Sequence, residues 1–318
     1  MTLYPLLMAP YFRHGAQTPW GGDALRDMLM KPAPEQTGES LEVSALEGME
    51  SVVRNGAHAG QSFRRMFEQW GSALTGTDDA VFPLMLKLLD ARTFLSVQVH
   101  PDDAYAAREG KLGKTEAWMI LSCDPGAKIA YGMDANAAPA KLFASGDAAA
   151  IEAAVRWKTV RPGDVYSMPA GMLHALGAGI LAYEIQQSSD VTYRLWDFNR
   201  VNDKGEKRPL HIRQSLDVIR PELKGQRAHM PEHPAQEITR LLDVPAFTLD
   251  CVAADGACIL PAADTFRVLT ALEPLTLRWL EGEMELKAGD TVLLPAACPE
   301  VGLEGHGRAL VSGVGRQA

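Results

Sequence analysis

From Leu95 to Asp103 the chain reads Leu-Ser-Val-Gln-Val-His-Pro-Asp-Asp, an alternation with a period of two residues. That period suits a β-strand: Leu95, Val97 and Val99 fall on one face, and Ser96, Gln98 and His100 on the other. A face carrying an amide and an imidazole is costly to bury unless something satisfies it, and a bound metal ion does so. The stretch therefore asks for a β architecture with polar ligands in its interior, and for further ligands elsewhere in the chain.

With 318 residues and 47% hydrophobic content, the chain has room for two cores. No apolar run approaches the roughly 18 to 20 residues that cross a bilayer. The N-terminus lacks the basic, apolar and small-residue succession of a secretory signal, so the expected compartment is the cytoplasm. Cys123, Cys251, Cys258 and Cys298 show no CxxC spacing and are expected to be reduced, mostly buried thiols. A net charge of -9 without a basic run argues against nucleic acid or an anionic membrane as partner. An anionic small molecule stays compatible, because a few Lys and Arg residues in one cleft override the global sign. The sequence sets no oligomeric state.

The first ~60 residues are punctuated by turn signals, among them Trp20-Gly21-Gly22 and Gly38-Glu39-Ser40. Gly60 to Glu68 and Phe82 to Leu89 read as short helical pieces, and Phe94–His100 and Glu116–Leu121 as strands. The intervening segment, with Gly110 and Gly113, is long for a hairpin and reads as a functional loop. Ala138 to Trp157 has helical composition, broken at Gly146 and restarted by Asp147 as N-cap. Strands are expected at Val165–Pro169 and Ile180–Gln186, a linker at Arg220–Pro234, and strands and turns from Phe247 to Val314. Within that tail, Ala288-Gly289-Asp290-Thr291-Val292-Leu293-Leu294-Pro295-Ala296 echoes Pro162-Gly163-Asp164-Val165-Tyr166-Ser167-Met168-Pro169-Ala170. The echo implies two related β units: residues 1–235, catalytic and carrying helical insertions, and residues 236–318, a degenerate unit. No His follows Pro295 at the offset of His174, so the second unit is expected to hold no metal.

Gly163-x5-Pro169-x-Gly171-x2-His174 resembles the second signature of the cupins. Their first signature, two histidines and a carboxylate, is matched by Gln98, His100 and Glu116 with one substitution and one insertion. The resemblance implies a mainly β fold: two cupin-type β-barrel (jelly-roll) units, with added helices in the N-terminal catalytic part. Chemically the set is coherent: Gln98 offers a neutral oxygen, His100 and His174 imidazole nitrogens, and Glu116 an anionic oxygen. One zinc ion per chain suits it, and another divalent metal is compatible. His14, His58, His211, His229, His233 and His306 lack ligand spacing and are expected to be structural or surface residues.

Trp20-Gly21-Gly22, Gly38-Glu39-Ser40, Phe82–Ala91, Leu95–Asp103, Gly113–Trp118, Pro169–Ala175 and Glu184–Arg194 together resemble the type I mannose-6-phosphate isomerases, in their shorter bacterial form. Beyond Arg200 the likeness rests mainly on the echo. The resemblance implies a zinc-dependent aldose–ketose isomerase that interconverts mannose 6-phosphate and fructose 6-phosphate through a cis-enediolate. It makes Gln98, His100, Glu116 and His174 the zinc ligands and Arg194 the active-site arginine. Ser96, Lys87, Lys114 and Arg200 fall where polar and basic residues meet the substrate or its phosphate. Longer members usually carry a His where this chain has Gly113, so no proton-transfer role passes to that position. Asp190, four residues before Arg194, is the first candidate for the base, with Lys114 and a zinc-bound hydroxide as alternatives. Lys114 can also shuttle protons between oxygens. Two rival functions are an isomerase of free mannose or a related unphosphorylated sugar, and a non-catalytic sugar-binding cupin regulator.

Overall fold

The structure, a computed structural model, describes residues 3–202, 204–232 and 237–315. His233, the end of the Arg220–Pro234 segment and the 235/236 boundary lie outside the described residues. The Leu95–Asp103 stripe pairs regularly over Val97–Val99, the second strand of a five-stranded antiparallel sheet. Its neighbours are Tyr193–Trp196 on one side and His174–Ala175 on the other, followed by Lys128–Met133 and Val155–Thr159. A seven-stranded antiparallel sheet meets it side chain to side chain, running Arg227–His229, Asp164–Met168, Glu116–Cys123, Ile180–Gln187, Leu84–Ala91, Thr37–Val43 and Tyr11–His14.

Phe82–Leu89 is not helical. Leu84–Ala91 is a strand with all eight residues buried, because it lies between Ile180–Gln187 and Thr37–Val43 with both faces covered. A strand buried on both faces loses the alternation that would betray it and reads as a continuous apolar run. The other helical expectations stand closer to the structure. Phe63–Trp70 is a helix, with the Ser62 hydroxyl accepting from the Arg65 amide. Pro139–Ser145 and Ala148–Ala154 are two helices broken at Gly146, and the Asp147 carboxylate caps the second. Val155 then leaves the helix to start an edge strand, so the expected helix ends three residues early.

The linker expectation for Arg220–Pro234 is corrected within the described residues: Arg227–His229 joins the seven-stranded sheet beside Asp164–Met168. Val165 and Tyr166 need a partner on their outer edge, and this segment supplies it.

A third sheet of nine strands takes most of the residues after 237 and also Leu6–Ala9, which pairs with Thr291–Leu294. Its longest ladder joins Phe247–Leu260 to Val301–Val314. The nine-residue echo is a repeated turn. Gly163 and Gly289 have φ of 88° and 84°, the left-handed region where a Cβ is strained. In both copies the following Asp carboxylate accepts from the backbone three residues back, Asp164 from Arg161 at 3.1 Å and Asp290 from Lys287 at 2.9 Å. After the second copy the position of His174 is occupied by exposed Glu300.

The fold is mainly β, as expected of cupin-type units, and its sheets are not closed into barrels. Their inner faces pack on one another, and the free edge at Tyr193–Trp196 is flanked by the helix Ile212–Val218, whose Val218 shares a cluster with Leu195. One core spans the seam: Leu84, Leu86 and Leu88 cluster with Phe247, Val268 and Leu310. Phe82 meets Phe63 edge-on at 4.7 Å and Phe266 at 4.6 Å, and burying such a ring contributes about 1.5–3 kcal/mol. The Tyr183 and Ser312 hydroxyls meet across the same seam at 2.7 Å.

Candidate metal centre

Register brings the ligand-type side chains together. Gln98 is the middle of a three-strand rung, paired with His174 on one side and Arg194 on the other. Glu116 opens the Glu116–Cys123 strand of the facing sheet, opposite Met168 and Gln186. His100, Glu116 and His174 are buried, and their ligand atoms lie within 4.8 Å of one another. Glu116 is 3.3 Å from His100 Nε2 and 3.1 Å from His174 Nε2. The Gln98 amide is 3.5 and 3.4 Å from the same two nitrogens. Its nitrogen points there, and a half-turn of the amide puts its oxygen in that place.

The tautomers show what this cluster accommodates. His100 Nδ1 lies 2.8 Å from the Val191 carbonyl and His174 Nδ1 lies 2.8 Å from the Met172 carbonyl. A carbonyl only accepts, so each Nδ1 carries the proton and each Nε2 turns a lone pair inward. Burial, followed by the Lys114 charge, pushes His100 down to about 3, so this ring is neutral near pH 7. Burial raises Glu116, but Lys114, His174 and His100 overcome it and hold the carboxylate well below its usual range. Both Glu116 oxygens are buried without a hydrogen bond among the described residues, although Lys114 Nζ stands 2.8 Å from one of them. Lone pairs of two imidazoles and a carboxylate facing each other repel unless a cation lies among them. The donor set of two nitrogens, a carboxylate and an amide oxygen fits a borderline divalent metal, and the carbonyl bonds to each Nδ1 are the supports such ligands need.

A cavity of about 280 Å³ opens from this cluster, lined in part by Ser96, Gln98, Lys114, Lys87 and Arg194. Lys114 reaches it from the long loop, whose last turn is tied by Lys114 N to the Pro101 carbonyl at 2.9 Å. Gly113 is packed so closely that a Cβ would lie 2.5 Å from Asp103 N and 2.6 Å from the Asp102 carbonyl carbon. The loop path excludes any side chain there, a His included. Lys87 is buried between Glu184 at 3.3 Å and Glu39 at 3.6 Å. Burial depresses Lys87, and Glu39 and Glu184 outweigh it and raise it; burial raises Glu39, and Lys87 and Arg13 outweigh it and lower it.

Two expected site residues are placed differently. Arg200 does not line the cavity: its guanidinium donates to the Phe94 carbonyl and stands 3.7 Å from Asp197. Asp190 is at the mouth, half-exposed and bonded to Lys111 at 2.7 Å. Residues that the sequence did not single out also line the cavity, Arg13, Glu39, Glu184 and Arg208, and so does His211, which was expected to be a structural or surface residue. Glu184 is buried; one oxygen accepts from Trp118 Nε1 at 2.8 Å and the other has no hydrogen bond among the described residues. Glu39 and Glu184 stood inside conspicuous blocks without a spacing that marks chemistry, and Arg208 and His211 carried no signal.

Fold and site define the class: a metal-site cupin with a cation-rich ligand cavity. Residues 13–120 match the family model described as phosphomannose isomerase type I, catalytic domain. Mannose-6-phosphate isomerase ManA of Bacillus subtilis is 35% identical over 318 residues, covering 98% of this chain and 99% of that protein. Mannose-6-phosphate isomerase of Streptococcus mutans is 44% identical over 204 residues, covering 63% of this chain and 64% of that protein. A crystal structure of the mannose 6-phosphate isomerase from Bacillus subtilis superposes with a TM-score of 0.88 at 32% identity, over 98% of this chain and 99% of that one. The chain belongs to the type I mannose-6-phosphate isomerase family.

Proposed function

We propose that the chain interconverts mannose 6-phosphate and fructose 6-phosphate, as a metal-dependent aldose–ketose isomerase working through a cis-enediolate. The observation that carries this reading is that Gln98 and Lys114, which touch the His100–Glu116–His174 cluster, line one cavity with Arg194, whose guanidinium has no carboxylate within ion-pair distance among the described residues. Gln98, His100, Glu116 and His174 would hold one ion, assigned here as zinc, which when bound supplies Lewis acidity toward the sugar oxygens. Ser96, whose hydroxyl is 3.5 Å from the Gln98 amide oxygen, is assigned to substrate contact.

The remaining chemistry belongs to side chains. Removing the C2 proton leaves negative charge on oxygen, and fixed cations lower its energy most. Arg194 and Lys114 line the cavity and are assigned that role, and Lys114 is also assigned to pass a proton between O1 and O2. A carboxylate base has to be shielded from water and keep an oxygen free. Glu184 is buried and has one oxygen without a hydrogen bond among the described residues, 3.3 Å from Lys87 Nζ, whereas Asp190 is half-exposed and bonded to Lys111. We therefore assign the carbon-bound proton to Glu184, with Lys87 holding its charge. The division into a catalytic unit, residues 1–235, and a metal-free unit, residues 236–318, is part of the proposal; its support is that every assigned residue lies in the first. A cytoplasmic location is likewise proposed, supported by four free cysteines among the described residues.

The test is turnover of metal-loaded protein with mannose 6-phosphate and with mannose, followed by deuterium incorporation from solvent into the product. Turnover of mannose 6-phosphate, with incorporation abolished in Glu184→Gln and kept in Asp190→Asn, is expected. No turnover of mannose 6-phosphate, or equal turnover of mannose, refutes the function. Unchanged incorporation by Glu184→Gln refutes the base.

A further inference from the structure

Lys114 reaches the cavity from a loop whose backbone is tied at every amide around it. Its ammonium stands 2.8 Å from Glu116 and 3.2 Å from His100 Nε2, so a shift of its stem moves a charge at the metal cluster. Three consecutive amides carry that stem, and each has its own acceptor. Gly113 donates to an Asp103 carboxylate oxygen at 2.8 Å, Lys114 to the Pro101 carbonyl at 2.9 Å, and Thr115 to the Gln187 side-chain oxygen at 2.9 Å.

The first and last of these acceptors are joined to each other. Gln187 Nε2 donates to both Asp103 oxygens, at 3.0 and 3.2 Å. A carboxylate only accepts, so the side-chain NH2 of Gln187 faces Asp103 and its oxygen is thereby turned to Thr115. The Gln187 backbone amide donates to the Thr115 carbonyl at 3.1 Å, so one residue engages both the N–H and the C=O of Thr115. Asp103 begins the short helix Asp103–Ala106 and is exposed; Gln187 ends the strand Ile180–Gln187, three residues beyond Glu184. Neither lines the cavity, and both border a separate surface hollow shared with Leu112 and Thr115.

We propose that Asp103 and Gln187 are positioning residues for Lys114: outside the cavity, they fix the backbone from which its ammonium reaches the reacting oxygens. This rests on the isomerase reading above, in which Lys114 acts at the carbonyl end of the sugar. A lysine is a point charge on a flexible four-carbon stem, so its place is only as definite as that of its backbone. A misplacement of about 1 Å costs up to about 100-fold in rate. Because the charge that Lys114 meets develops in the transition state, loosening its backbone lowers kcat and kcat/KM together and leaves KM in place. The Asp103–Gln187 bond gives the pair a direction that can be reversed: an amide at 103 and a carboxylate at 187 still offer an acceptor to each loop amide.

The experiment uses metal-loaded full-length protein and two readouts: steady-state kinetics on mannose 6-phosphate, and amide hydrogen exchange at Gly113–Thr115. Asp103→Ala is expected to lower kcat by about tenfold, with KM and metal content unchanged and faster exchange at the three amides. Gln187→Glu sets two carboxylates face to face and does the same. Asp103→Asn/Gln187→Glu restores slow exchange and returns kcat to within about threefold of the unaltered protein. Added to Lys114→Met, Asp103→Ala has no further effect on kcat, whereas a role only in stability costs as much there as in the unaltered chain. Gln187→Glu and its reversal decide the matter should Asp103→Ala fail to fold. Unchanged kcat in the single variants, no recovery in Asp103→Asn/Gln187→Glu, or an undiminished loss beside Lys114→Met overturns the proposal. Absence of turnover by the unaltered protein would overturn only the isomerase reading, because exchange that is fast in the single variants and slow in the reversed pair reads the hold on Lys114 by itself.

Discussion

Lys87→Met is the most severe test of the cavity's charge balance. Lys87 lies on a central strand, 9% exposed, with Glu184 at 3.3 Å and Glu39 at 3.6 Å. At an effective dielectric constant near 20 each attraction is worth about 5 kcal/mol before the cost of desolvating three charges. Arg13, 3.0 Å from Glu39, still neutralises that carboxylate in the variant, so the uncompensated group is chiefly Glu184. Removing one partner of a buried pair costs about 3–5 kcal/mol. At about 2 °C per kcal/mol for a chain of this size, the melting temperature at pH 7 falls by roughly 6–10 °C.

The loss depends on pH with a definite sign. Glu39 is held below its ordinary value of 4.5 in the folded protein, so its contribution is present above that value and is lost as pH falls through the folded-state pKa. Lys87 is raised above 10.5, so its contribution persists through neutral pH and is lost only in strong alkali. In Lys87→Met the Glu39 carboxylate loses the charge that most lowers it, and the two melting curves converge as pH falls. Lys87→Met/Glu184→Gln recovers most of the loss. Melting by scanning calorimetry between pH 4 and 8 reads all three. A loss under about 1 kcal/mol at pH 7, or one that does not shrink on acidification, refutes the assignment of Lys87 as the counter-charge.

Two further outcomes follow from the geometry. His174→Ala loses its bound metal by elemental analysis after dialysis, and its melting temperature equals that of chelator-treated unaltered protein; readdition of zinc at 1,000 times Kd restores about 4 kcal/mol to the latter alone, and equal restoration of both would remove His174 from the ligand set. Gly163→Ala and Gly289→Ala, both at positive φ with neighbours no closer than 3.0 Å, each lose about 1–2 kcal/mol, measured by denaturant unfolding. Costs differing by more than about 1 kcal/mol would show that the echo does not build the same turn twice.

What could be read from the chain depended on whether a side chain's task imposes a local pattern. Gln98 and His100 were legible because a strand of period two throws alternate residues to one face, and His174 because a Pro/Gly turn fixes where the returning strand begins. Asp147 and Gly163 were legible because caps and left-handed turns are local. The Leu84–Ala91 strand was misread because burial on both faces erases alternation. Arg208 and His211 were invisible for a different reason: their places are set by Asp197 and by the Arg194 backbone, contacts that come from tertiary register. The Gln186–Ser189 part of the block that pointed to the family proves mostly structural. Gln187 receives the Thr115 amide at 2.9 Å, and Ser189 donates to the Leu112 carbonyl at 2.8 Å. These bonds pin the loop that carries Lys114.

The acidic chain and its cation-rich cavity are consistent once charges are followed in pairs. Arg13 faces Glu39, Lys87 faces Glu39 and Glu184, Lys114 faces Glu116, and Arg208 faces Asp197. Each carboxylate holds its cation in a fixed place and cancels its charge at a distance, so the pairs add orientation and little net field. Among the described cations that line the cavity, Arg194 alone has no carboxylate within ion-pair distance, and it stays charged although burial lowers its pKa from the ordinary value of 12.5. Attraction of an anion into the cavity therefore falls mainly on Arg194, and recognition of its shape on the paired groups. Arg194→Gln should weaken every anionic ligand, inorganic phosphate included, and flatten the dependence of kcat/KM on ionic strength, because the screened long-range component is the one removed. Arg208→Gln should leave that salt dependence largely in place, since Asp197 cancels the Arg208 charge. Stopped-flow association at two ionic strengths separates the two, and equal flattening by both variants would show that the Asp197 pairing does not neutralise Arg208.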